Sequence, residues 1–189
     1  LMLPIAPDAA TSYAPATIFT SQMKEAMRHF TVIRHQYVAN QQKEWSDRTL
    51  PSFFNQHGGS TTAPYYGIGG TSDNGPSWEY KVMFSNETGR DLMISIPTVA
   101  TGRTAADTSS YVYKLANLIK YGSDGVNPYT STQADPVYPP LNPNLRVYFE
   151  IENELWNWAS VFNTDYQNID KITAADADAN NADFQAINY

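Results

Sequence analysis

The chain has 189 residues, 42% of them hydrophobic and 16% charged, with a formal net charge of -7 at neutral pH and no cysteine. Such a chain can bury one good core, and without cysteine it has no disulfide scaffold, thiolate nucleophile or Cys-ligated zinc. The acidic balance leaves no basic surface to neutralise phosphates, so no nucleic-acid partner is expected; no run of about eighteen apolar residues is present to span a membrane, so no membrane partner is expected either.

Residues 1–5 read as the tail of a strand. Residues 18–30 read as a helix, with Phe19, Met23, Ala26, Met27 and Phe30 on one stripe, and residues 31–38 read as a β-branched strand. A long polar connection then covers residues 39–76, rich in glycine, and a loop of that length in a compact domain is usually functional or mobile. Pro76 suits the first turn of a second helix with Tyr80, Met83 and Phe84 on its apolar face, and Gly89 suits its left-handed end. Residues 92–96 form a nearly continuous apolar run stopped by Pro97, the pattern of a strand buried on both faces. Asp107 or Thr108 can cap a third helix whose Val112, Leu115, Ala116 and Ile119 follow helical spacing up to Gly122. A Pro- and Asn-rich loop over 123–144 leads to a strand beginning at Arg146, and a polar tail covers 163–189.

Alternating strands and helices predict a parallel sheet with helical crossovers. No Gly-rich phosphate turn follows the first strand, and the candidate chemistry follows strands, both of which favour a closed barrel over an open nucleotide-binding sheet. A (β/α)8 barrel needs about 250 residues and eight strands, whereas four strand–helix units are read here. The expected fold class is α/β, a (β/α)8 TIM barrel of which only about the first four units are present, so that 1–189 forms the N-terminal half of one catalytic domain. The start at Leu1, with neither Met nor a basic-then-apolar leader, fits a piece of a longer product.

The most informative stretch is 146–158, Arg-Val-Tyr-Phe-Glu-Ile-Glu-Asn-Glu-Leu-Trp-Asn-Trp. It runs an alternating strand into an Asn-Glu pair and two indole rings. A carboxylate at a strand tip can protonate a glycosidic oxygen, an amide can bond a ring hydroxyl, and an indole can stack on a sugar face. The segment resembles the strand-four signature of the retaining, clan A glycoside hydrolases. That resemblance implies Glu154 as general acid/base, Asn153 as the amide on the sugar's 2-hydroxyl, and Glu150 as an inward carboxylate supporting the site. It also implies an Arg near the mouth of strand two, the position of Arg34, where a fork of N–H donors could orient a carboxylate. Trp156 and Trp158 stand about 200° apart on a helix, so one packs and the other, expected to be Trp156, lines the cleft. The structural alternatives are a solvated Glu154 at a helix start and a surface Arg34.

The implied activity is hydrolysis of O-glycosidic bonds in a polysaccharide or oligosaccharide by double displacement, with the nucleophile downstream of residue 189 and no cofactor. The implied setting is a secreted bacterial enzyme, extracellular or periplasmic, with carbohydrate as its partner. A non-catalytic carbohydrate-binding protein on a degenerate barrel is the alternative. His29, His35 and His57 match no metal-ligand spacing. Asn86-Glu-Thr88 matches a glycosylation sequon at a helix end, and Trp45-Ser-Asp-Arg48 is read as a salt-bridged loop anchor in preference to a substrate rim.

Overall fold

The computed structural model describes residues 18–35, 42–52, 56, 75–102, 106–151 and 167. In chain order these form α1 (Ser21–Ala26), a 3-10 turn (Met27–His29), β1 (Val32–His35), a 3-10 turn (Trp45–Asp47), α2 (Trp78–Thr88), β2 (Asp91–Ile96), α3 (Tyr111–Tyr121) and β3 (Val147–Ile151). The expected strand over 1–5 lies outside the described residues.

Local chemistry sets the boundaries. The Thr20 side chain accepts from the Met23 amide and caps α1, so that helix is shorter than residues 18–30. The Arg90 guanidinium donates to the carbonyls of Met27 and Arg28, satisfying acceptors that the end of a helix leaves open. Ser77 caps α2 by accepting from the Tyr80 amide, which leaves Pro76 one residue outside the helix rather than in its first turn. Gly89 ends α2 at φ 65° and ψ 32°, the left-handed conformation that disfavours a side chain. Ser110, not Asp107 or Thr108, caps α3; Asp107 holds the preceding turn, its carboxylate accepting from Ser109 Oγ and its carbonyl from Ser110 Oγ. The buried stripe of α3 is accordingly Tyr111, Leu115, Leu118 and Ile119, while Val112 is half-buried and Ala116 exposed.

The three strands are all parallel in the order β1-β2-β3. Arg34 pairs with Met93 and Met93 with Tyr148, and one step further Ser95 pairs with Glu150. The expectation of a half-barrel with four strand–helix units is therefore corrected: among the described residues there is a small three-stranded parallel sheet with two helical crossovers. Strand–helix alternation fixes parallel neighbours and helical returns, but it carries no information on whether the sheet continues and closes.

Both crossover helices pack on one face. Leu92 and Ile94 of β2 are buried against Trp78 and Val82 of α2 and against Tyr111, Leu115 and Leu118 of α3. A second cluster joins Phe19, Ile33, Met83 and Phe84, with the Phe19 and Phe84 rings 4.8 Å apart. Helix α2 thus lies between two apolar clusters and is buried nearly all round, Glu79, Lys81 and Ser85 included.

The buried carboxylate on α2 is matched. The guanidinium of Arg48 lies 3.1 Å from Glu79 Oε1, with side chains 1% and 0% exposed, and Ser123 Oγ donates to the same oxygen at 2.8 Å. Arg48 also donates to the Val126 carbonyl and stacks 4.4 Å over Trp45. Burial pushes the Glu79 carboxyl up and the Arg48 guanidinium down, and the charge of each partner opposes the shift. The Trp45–Arg48 stretch is thus an anchor tying the loop after β1 to α2 and to the loop after α3. Asn86 of the sequon is likewise engaged, donating to the Pro140 carbonyl and accepting from the Asn142 amide.

Arg48→Met strands the Glu79 carboxylate in the core, and losing one partner of a buried pair costs about 3–5 kcal/mol. Urea unfolding should show a loss of that size, and Arg48→Met/Glu79→Met should recover most of it. A single variant as stable as the parent would remove the anchor role.

Candidate functional site

With α2 and α3 on the Leu92–Ile94 face, the alternate residues of each strand point to the other face: Arg34 from β1, Met93 and Ser95 from β2, Tyr148 and Glu150 from β3. Arg34, Ser95 and Glu150 are each the penultimate residue of their strand. In open parallel sheets, ligand sites lie outside the carboxyl ends of the strands.

Arg34 reaches diagonally across β2. Its Nε donates to Glu150 Oε2 at 2.9 Å and its Nη2 to Oε1 at 2.7 Å, a two-pronged ion pair. Ser95 Oγ, from the strand between them, donates to Oε2 at 3.2 Å. The hydrogen bond from Arg34 holds the Glu150 carboxyl below its ordinary range against partial desolvation, and the Arg34 charge and the Ser95 hydroxyl add to the lowering. The pair is only partly buried, with side chains 35% and 27% exposed. It differs in this from Arg48–Glu79, which solvent does not reach.

Two of the residues singled out in the sequence, Arg34 and Glu150, are brought together. Asn153, Glu154 and Trp156 lie outside the described residues, with Glu154 three positions past the last residue of β3. Ser95 was not foreseen. Its one signal is a polar residue interrupting the apolar run Leu-Met-Ile-Ser-Ile one position before the strand ends.

Beside β1 is a cavity of about 540 Å³ lined mainly by apolar side chains, among them Phe19, Met27, Ile33, Tyr80 and Phe84, together with His35. Burial, helped by the charge of Lys81, lowers the His35 pKa from 6.5 to about 3, so the imidazole is neutral. Its Nε2 is buried without a hydrogen-bond partner, and its ring meets the Phe84 ring edge-on at 6.4 Å. Among the described residues no group of three His, Asp or Glu is placed to hold a metal ion, and no helix is long and apolar enough to cross a membrane. His57 lies outside the described residues.

No family model, curated protein or solved structure matches the chain. The likeness of residues 146–158 to the glycosidase signature therefore stands on those residues alone.

The lowered pKa values of His35 and Glu150 make the fold acid-sensitive. Below pH 6.5 the unfolded chain binds a proton at His35 that the folded chain refuses until about pH 3, so unfolding free energy falls as pH drops through that window. Glu150 adds a smaller loss, below the ordinary carboxylate pKa, because its pair is partly exposed and screened. Denaturant unfolding between pH 8 and 4 should show this slope, and His35→Gln should flatten it between pH 6.5 and 5. An identical slope in that variant would show that His35 is not held neutral.

Proposed function

We propose that the protein is a glycoside hydrolase of the retaining type, acting on O-glycosidic bonds of a polysaccharide or oligosaccharide with Glu154 as general acid/base. The observation that carries this reading is the Arg34–Glu150–Ser95 cluster at the carboxyl ends of three parallel strands, immediately upstream of Asn153-Glu154. A carboxylate that is to donate a proton near neutral pH needs its pKa raised, and burial or a neighbouring negative charge does that. Glu150, four positions earlier in the chain, is ionised but its charge is matched by Arg34, so burial of Glu154 would have to supply the shift. Asn153 would bond the sugar's 2-hydroxyl and Trp156 would stack on its ring.

One observation favours a second reading, a carbohydrate-binding protein without hydrolysis. Double displacement needs a second carboxylate about 5–5.5 Å from the acid/base. Among the described residues, Glu150 is engaged by Arg34 and Ser95, Glu79 is sealed in the core with Arg48, and Asp91 sits at the opposite end of β2. None of these three, among the described residues, is an unengaged carboxylate at the carboxyl ends of the strands.

Glu154→Gln keeps the shape of the side chain and removes its proton. General acid help is worth roughly 10²–10⁴-fold, so cleavage of unactivated oligosaccharides should fall by about that factor. Aryl glycosides with an acidic phenol leaving group should lose less in their first step, and azide should restore part of the turnover by attacking the glycosyl intermediate. Full activity in Glu154→Gln would sink the acid/base assignment. Sugar binding with no hydrolysis by the full-length protein, any part downstream of residue 189 included, would leave the binding-protein reading.

A further inference from the structure

Resting on that carbohydrate reading, we infer that Glu150 Oε1 is a hydrogen-bond acceptor for one hydroxyl of the sugar, with Ser95 as its positioning residue. The ligand class is then a sugar that is neutral and unsubstituted at the contacted position.

The argument is a count of lone pairs. Each oxygen of an ionised carboxylate accepts about two hydrogen bonds. Oε2 of Glu150 takes two, from Arg34 Nε at 2.9 Å and Ser95 Oγ at 3.2 Å, and is full. Oε1 takes one, from Arg34 Nη2 at 2.7 Å, and keeps a place. The planar Arg34 fork fixes the plane of the carboxylate, so the open place has a set direction. Ser95 is 1% exposed and reaches Glu150 from the central strand, so it closes Oε2 without competing for Oε1. The Glu150 side chain stays 27% exposed, which leaves it within reach of a ligand.

An acceptor that is ionised and already oriented discriminates by chemistry. A hydroxyl donates to it. An O-methyl or deoxy position has no proton to give, and a carboxylate at that position would set two acceptors against each other. Such charge-assisted bonds correspond to roughly ten- to a hundredfold in affinity.

The test is binding, measured by NMR titration so that it does not depend on turnover. The probes are the methyl β-glycosides of glucose, mannose, galactose and xylose, followed by the monodeoxy forms of whichever binds. In the parent protein, removal of one particular hydroxyl should weaken binding about tenfold or more. In Glu150→Gln, whose fold is checked by circular dichroism, the intact sugar should bind about tenfold or more weakly and the same deoxygenation should cost little further. Ser95→Ala should weaken the intact sugar by a smaller factor, and Ser95→Thr, which keeps the hydroxyl, should restore it. A merely structural role for Glu150 would weaken all the deoxy forms equally and would overturn the inference. Unchanged affinity in Glu150→Gln would overturn it too, leaving the carbohydrate reading intact. No binding of any probe by the parent would overturn both.

Discussion

Burial of Leu92 and Ile94 is the constraint from which the rest of the structure follows. They project from the central strand to one face, and both crossover helices cover that face. Each such side chain, fully buried, contributes about 1.5–3 kcal/mol. Because strand residues alternate faces, burying these two commits Met93 and Ser95 to the opposite one. Parallel register then brings Arg34 and Glu150 to the same side as Ser95. The polar cluster is thus a geometric consequence of where the apolar residues had to go.

Two ion pairs in this small fold illustrate opposite uses of charge. Arg48–Glu79 is sealed from water and surrounded by Trp45, Ser123 and the Val126 carbonyl. Desolvating such a pair offsets most of its attraction, so its contribution is to specify which loops meet rather than to add net stability. Arg34–Glu150 keeps about a third of its surface in solvent. It costs less to form, holds a carboxylate in a fixed plane, and leaves one oxygen approachable.

How much of this was legible depended on whether a feature was local. Strand β2 was plain because an apolar run ended at Pro97. Gly89 was plain because a left-handed helix end favours glycine. The start of α3 was misplaced because Asp107, Thr108 and Ser110 are all competent caps, and only packing against β2 selects Ser110 and rotates the stripe to Tyr111 and Leu118. The face of α2 was half seen, since a helix flanked by two clusters has no single stripe to read. Sheet closure was not legible at all, because alternation is a property of neighbouring elements and closure a property of the whole sheet. In the site, Arg34 and Glu150 were singled out through the glycosidase resemblance, as charged residues on strands. Ser95 was not, because a lone serine in an apolar run acquires meaning only when the strands on either side are in register.

The Arg34–Glu150 pair also bears on how the chain is made. Its two residues are separated by 116 positions, and Ser95 lies about midway between them. At a synthesis rate of about 5–20 residues per second, Arg34 exists for roughly ten seconds before Glu150 is joined to the chain. Strand β1 gains its neighbour β2 partway through that interval, but the carboxylate arrives last. The contacts of the cluster are thus among the least local in the fold, and loop-closure entropy delays such contacts until both crossovers have formed. Docking of the last strand therefore completes both layers together, Leu141, Leu145 and Val147 closing the apolar side and Glu150 the polar one.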